Sequence, residues 1–223
     1  MAGRARWTGA AVAVAAVASL AGCGTSSLAS ETPSQILAAA TSATKNASGY
    51  EVTSSGDFPD SITSLDLRVA GAEYRGTFVV AGVTIHVMQV AGNVYVSAPA
   101  AYYTDAGESS ATAADLNDVW VEGAVGSKVA NDYLALSARL DISSDLSSTG
   151  TVTADGTGTV DGQPVVSLKA TDGSTVDIAS SGPAYPVRVT TTGADATVYN
   201  LSNWNGIGTF TPPPNPILIP STS

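Results

Sequence analysis

The chain has one cysteine and one histidine in 223 residues, and nine lysines and arginines against nineteen aspartates and glutamates. A lone cysteine, Cys23, cannot close a disulfide within the chain, so stability must rest on packing. A lone histidine with no spare thiol beside it gives no ligand set for a metal, and neither a metal nor another cofactor is expected. Beyond the leader the basic residues are Lys45, Arg68, Arg75, Lys128, Arg139, Lys169 and Arg188, with no two adjacent in sequence. Without a clustered basic patch the chain has little means of displacing counterions from nucleic acid. The three Trp, eight Tyr and three Phe are scattered, which argues against an exposed stacking platform for sugars or single strands.

Reactive constellations are equally scarce. A Ser-His-Asp hydrolase would have to use His86, yet no Gly-x-Ser-x-Gly elbow occurs, and His86 sits in an alternating segment between Ile85 and Val87. The carboxylate pairs Asp115 and Asp118, Asp141 and Asp145, and Asp172 and Asp177 stand in turn-like polar stretches where solvated acids are ordinary. Gly206-Ile207-Gly208 lacks the third glycine and following helix of a phosphate loop. These absences shift weight from catalysis to binding or carrying, and no enzyme is expected.

What is present begins at the N-terminus. Arg4 and Arg6 precede an apolar run from Ala10 to Leu20, followed by Leu20-Ala21-Gly22-Cys23. A basic stretch, a short apolar stretch and small residues make a secretory signal, and the run is too short for a spanning helix of roughly 20 residues. Small residues directly before the single cysteine resemble the lipobox of bacterial lipoproteins. That resemblance implies cleavage before Cys23, diacylation of its thiol, and a position on the outer face of the cytoplasmic membrane. Residues 1–22 are then the signal peptide, and 23–31 a lipidated, small and polar tether. The remaining chain carries seven basic and nineteen acidic residues, a net charge of −12. Attachment must therefore come from acyl groups, because attraction to anionic headgroups has the wrong sign. The Ala, Val, Thr, Ser and Gly bias suggests a GC-rich actinobacterial genome.

A helix follows the tether. Thr32-Pro33-Ser34-Gln35 offers an N-cap, a proline at the first helical position and a capping-box glutamine, while Ile36, Leu37, Ala40, Ala43 and Ala47 form one stripe. From Tyr50 the period becomes two: Leu65, Leu67 and Val69, then Gly76, Phe78 and Val80, then Val83, Ile85 and Val87 alternate with polar residues. Residues 98–118 read as a loop with a turn of helix near Ala113 to Asn117. Ser127 caps a second expected helix, whose Val129, Tyr133, Leu136 and Leu140 share one face. After Gly150 short strands resume, punctuated by Asp155-Gly156, Asp161-Gly162 and Asp172-Gly173 as hairpin turns. The last element, Ile217-Leu218-Ile219 after a proline-rich run, reads as a latch rather than a loose tail. The expected fold is α+β: one strongly curved antiparallel sheet of about ten strands with helices on its concave face. A two-sheet sandwich would leave the amphipathic helices without a surface.

The order of parts resembles a known family. The lipobox, the Thr-Pro-Ser-Gln-Ile-Leu helix, Ala91-Gly92-Asn93-Val94-Tyr95-Val96, the Trp120 strand, the Tyr133 helix, Val160-Asp161-Gly162-Gln163-Pro164-Val165 and Ser181-Gly182-Pro183-Ala184-Tyr185-Pro186-Val187-Arg188 look like the LppX/LprG-type lipoproteins of mycobacteria and their relatives. Those are similar to the LolA and LolB carriers. The resemblance covers roughly residues 32–204 and implies a half-open barrel enclosing an apolar cavity for acyl chains. Residues 32–210 would form the lipid-carrier-like domain and 211–223 a Pro-rich C-terminal tail. The cavity lining would be Leu65, Leu67, Val69, Phe78, Ile85, Val87, Tyr133, Leu136, Val166, Leu168 and Val189. The ligand would be a membrane lipid or lipoglycan, carried across the envelope by a monomer that hands it on from or to a lipid exporter. A filled interior would instead suit a sensory or scaffolding lipoprotein that contacts a membrane protein.

Overall fold

In the computed structural model, which describes residues 28–55, 62–123, 142, 146, 150–193 and 196–219, the alternating segments build a single sheet. Its strands are β1 (Tyr50–Ser55), β2 (Ile62–Ala70), β3 (Glu73–Val80), β4 (Val83–Val90), β5 (Asn93–Ser97), β6 (Val121–Gly123), β7 (Val152–Val160), β8 (Gln163–Ala170), β9 (Thr175–Ala179), β10 (Pro186–Thr190), β11 (Val198–Ser202) and β12 (Ile217–Ile219). Their lateral order is β12-β6-β5-β4-β3-β2-β1-β11-β10-β9-β8-β7. Every neighbouring pair is antiparallel except β12 with β6. The sheet is large, curved and unclosed, with β12 and β7 as its edges.

Register explains why it has one greasy face. Leu201 pairs with Val52, Val52 with Leu67, Leu67 with Gly76, Gly76 with Val87 and Val87 with Val96. The row continues on the other wing, where Leu168 faces Val176 and Val176 faces Val189. A period of two sends all of these to the same side. There they join Ile36, Ala40, Tyr103, Ala113 and Leu116 in one continuous core. Those last five come from three helices: α1 (Pro33–Asn46), α2 (Ala100–Asp105) and α3 (Ser110–Asp115), with Leu116 capping α3. Helices thus cover the concave face, as the amphipathic pattern requires.

Local signals set the elements. α1 starts at a capping box in which Gln35 N–H donates to the Thr32 hydroxyl (3.4 Å) and the Thr32 N–H donates to Gln35 Oε1 (3.0 Å). Ile36, Ala40 and Thr44, four residues apart, are its buried side chains. The β3–β4, β4–β5 and β7–β8 hairpins turn through Ala81-Gly82, Ala91-Gly92 and Asp161-Gly162, with φ positive at both residues of each pair. That geometry matches the twist of the flanking strands.

Three expectations change. The described residues form twelve strands rather than about ten. Asp155-Gly156 is a bulge within β7, not a turn between two strands: the register slips between Ala154 and Gly156, and Gly156 has φ 116°. A positive-φ glycine serves either purpose, and only the pairing partner decides which. Residues 98–118 hold two short helices, α2 and α3, where a loop with a single turn of helix near Ala113 to Asn117 was expected, with the Ser109 hydroxyl accepting from the Thr112 N–H at 3.1 Å. The C-terminal segment docks as β12, in keeping with the expected latch. The expected helix over 127–140, with Tyr133 and Leu136, and Cys23 lie outside the described residues.

Between β11 and β12 the chain crosses the outer face of the sheet. Ile207 meets Gly49, Phe210 packs on Met88, Val90 and Tyr95 beside Trp120, and the Ile217 N–H donates to the Trp120 carbonyl at 2.8 Å. Seven strand spacings at about 4.8 Å make ~34 Å. The fourteen residues 203–216 span up to ~46 Å when extended, so the strap reaches with slack. Its start is tied down. Trp204 lies against Tyr185 and Tyr50, with ring centroids 4.6 and 4.8 Å away, and its indole N–H donates to the Pro186 carbonyl.

Candidate functional site

Nine of the eleven side chains expected to line a cavity fall on described residues, and all nine share the α1-covered face. Leu65, Leu67, Val69, Phe78, Ile85, Val87, Val166 and Leu168 are buried in its core, and Val189 is half-buried against it. They form two wings, β2–β4 and β8–β10, joined by Val52 of β1 and Leu201 of β11. Tyr133 and Leu136 lie outside the described residues. Tyr74, Val94, Val96, Val176 and Ile178 complete the same face. Val94, Val96, Val176 and Ile178 alternate within the strand-like stretches, and Tyr74 stands two residues before Gly76, so the period-two signal could have found them. Burial pushes the Tyr74 hydroxyl well above its ordinary pKa, and it raises Tyr103 to about 12 with a smaller contribution from neighbouring Tyr102. Among these groups Gln89, opposite Tyr74 in the register, buries its Oε1 without a hydrogen-bond partner.

A cavity of about 700 Å³ opens between α1 and the start of β7. Leu37, Ala38, Thr41 and Lys45 form its helix wall, and Val152 and Leu146 its other side. This volume suits a small-molecule site, for which 300–1,000 Å³ is about the usual range. None of the nine sheet-face residues lines it. It reaches the core at its margin, since Leu37 and Val152 both pack against the cluster that holds Leu67 and Leu168. The pattern on α1 explains the opening: Ile36, Ala40 and Thr44 are spent on the sheet, so Leu37 and Thr41, one position on, turn toward the edge strand.

The groups considered for chemistry are occupied or isolated. His86 is exposed on the outer face, opposite Thr77 and Ser97. Asp172 accepts from the Ser174 N–H at 2.9 Å, Asp177 accepts from the Ser167 hydroxyl, and Asp118 accepts from the Asn117 amide. Asp141 and Asp145 lie outside the described residues. Among the described residues no group of three or more His, Cys, Asp or Glu is placed to hold a metal ion.

An unclosed, helix-covered sheet with an opening beside α1 can be compared with known proteins. No family model and no curated protein matches the sequence. Solved structures do. LprF from Mycobacterium bovis superposes with a TM-score of 0.58 at 15% identity, covering 83% of this chain and 97% of that one. The Mycobacterium tuberculosis lipoprotein LppX gives 0.53 at 20% identity, covering 79% and 98%. The chain has the LprF/LppX fold. At such identity the match is one of shape, while most side chains differ. The LprF/LppX fold accounts for the large curved sheet left open at both edges, and for the helices gathered on one side of it.

Proposed function

We propose that this chain is a lipid-anchored extracytoplasmic lipoprotein that binds the acyl chains of a membrane lipid or lipoglycan and carries it across the cell envelope. The observation that carries the reading is the 700 Å³ groove between α1 and β7, which joins solvent to the edge of the apolar core in an open sheet. Transfer of a chain of about 16 carbons from water is worth ~0.8 kcal/mol per methylene, a gross term near ~13 kcal/mol. Acyl chains enter along Leu37 and Val152, and Lys45 at the last turn of α1 meets the anionic or polar head. Leu65, Leu67, Val69, Phe78, Ile85, Val87, Val166, Leu168 and Val189 are the wall behind the groove. Cys23 takes the diacylglyceryl anchor, residues 23–31 let the domain stand off the bilayer, and release follows from a shift between open and closed forms. No covalent step is needed, and a membrane lipid exporter is the fitting partner.

A second reading has its own support. Leu67, Ile85, Val87 and Leu168 are each 0% exposed, as in a filled core, which suits a scaffolding or sensory lipoprotein. Native mass spectrometry of the full chain, purified from an actinobacterial host, separates the two. The carrier predicts a co-purifying lipid of defined mass, displaced in the Leu37→Asp variant. A ligand-free species under gentle conditions overturns the carrier and leaves the scaffold.

A further inference from the structure

The outer face of the sheet carries an arrangement that the acyl-chain reading does not use. Across six strands at one level run Glu51, Arg68, Arg75, Met88, Tyr95 and Glu122, each the register partner of the next. Arg68 and Arg75 are therefore directly opposed on β2 and β3. Like charges in that position repel and destabilise the strand pair. One carboxylate compensates: Glu51 accepts from Arg68 Nε at 3.2 Å. Arg75 is exposed and makes no hydrogen bond or ion pair among the described residues. Other acids nearby do not fill the gap. Glu73 accepts from the Ala91 N–H, and Asp66 lies two register pairs further along and does not border the groove. In a chain this acidic, two of its few cations are placed side by side with a single counter-charge.

The strap makes this pair a concavity. Asn205 is pinned to the α1–β1 turn by its N–H to the Gly49 carbonyl at 2.8 Å and by the Ser48 N–H to its Oδ1 at 2.7 Å. Ile207 rests on Gly49, where an added Cβ would meet the Val69 carbonyl at 2.4 Å, and Phe210 is anchored on Met88 and Tyr95. Between these two anchors the strap bridges the arginines, leaving a cavity of about 480 Å³ lined by Arg68, Arg75, Asn203, Gly206, Gly208 and Thr209. The strap brings no charge of either sign here, since 203–210 contains no Asp, Glu, Lys or Arg. Among the described residues the N–H groups of Ile207, Gly208 and Thr209 are not spent on other protein atoms. Guanidiniums together with unspent backbone donors are the donor set that binds tetrahedral oxyanions.

We propose that this groove binds a phosphate group, with Arg75 as its principal partner, Arg68 as the second and the strap backbone as the third side. The volume exceeds that of a bare anion and leaves room for a small polyol ester of phosphate, the chemistry shared by free metabolite phosphates and phospholipid headgroups. The site lies on the opposite side of the sheet from the α1–β7 groove, so it stands or falls independently of the acyl-chain reading.

The test is calorimetric titration of the full chain with inorganic phosphate and with glycerol 1-phosphate. Saturable binding is expected, weakened at least about tenfold by Arg75→Ala and unchanged by Lys169→Ala, which removes a cation from β8. Arg75 makes no ion pair or hydrogen bond among the described residues and opposes Arg68, so its variant does not lower the thermal midpoint. Tighter binding of glycerol 1-phosphate identifies a headgroup-like ligand, and equal binding identifies the free anion. Absence of binding by both probes, or equal binding by wild type and Arg75→Ala, overturns the proposal.

Discussion

Glycine at position 76 shows how narrowly one residue can be fixed. It lies on the concave face between Leu67 and Val87, and a Cβ there would stand 2.0 Å from the Asp66 carbonyl oxygen and 2.8 Å from Leu67 Cα. Backbone cannot step aside as a flexible side chain can, so Gly76→Ala forces β2 and β3 apart. The expected cost is about 2 kcal/mol, within the range of overpacked cores. Urea denaturation measures it, with Gly158→Ala as control, because nothing lies within 4 Å of a Cβ at Gly158. Nothing in the local pattern marked Gly76 as different from any other strand glycine. Leu65, Leu67 and Val69, by contrast, were legible as one face, because alternation alone sorts a strand's side chains.

At the level of elements, the strap is where sequence and structure meet least directly. Pro212, Pro213, Pro214 and Pro216 exclude a helix, yet they say nothing about the surface on which an extended segment lies. Docking is decided by partners remote in sequence: Met88, Val90 and Tyr95 for Phe210, and the Trp120 carbonyl for Ile217. Phe210→Ala should therefore cost about 2 kcal/mol, less than full burial of an aromatic ring would because the ring is half-buried. Exposed Thr211→Ala should stay within about 0.5 kcal/mol. Thermal melts of the two variants check this, and equal midpoints would show an undocked strap. β7 teaches the same lesson from the other edge. Its Asp155-Gly156 could have closed a hairpin, and β8, by pairing across both halves, makes it a bulge instead.

For the whole molecule, the concave core couples stability to alkaline pH. Tyr103, raised to about 12, and Tyr74, raised further by burial, hold their protons more tightly folded than unfolded, where the ordinary value is 10. Groups raised in the folded state contribute stability that is complete below the unfolded pKa and is lost as pH climbs through the folded one. Unfolding free energy should thus show no tyrosine-linked fall up to about pH 10 and decline from there toward 12. Tyr103→Phe should flatten part of that decline in denaturant titrations followed by circular dichroism. An unchanged alkaline slope in Tyr103→Phe would remove Tyr103 from the account.

Sequence by itself determined the alternation that puts Leu65, Phe78, Ile85 and Leu168 on one face, the capped α1, the Ala-Gly and Asp-Gly turns, and the scarcity of reactive groups. These are short-range matters, set by periodicity and by φ preferences within a few residues. Only the tertiary structure decided that the sheet stays open between β12 and β7, that α1 leaves a groove against β7, and that Arg68 meets Arg75 beneath the strap. Each of those depends on which distant segments pair. Pairing is a balance of burial and register over the whole chain, and no local stretch of it carries that information.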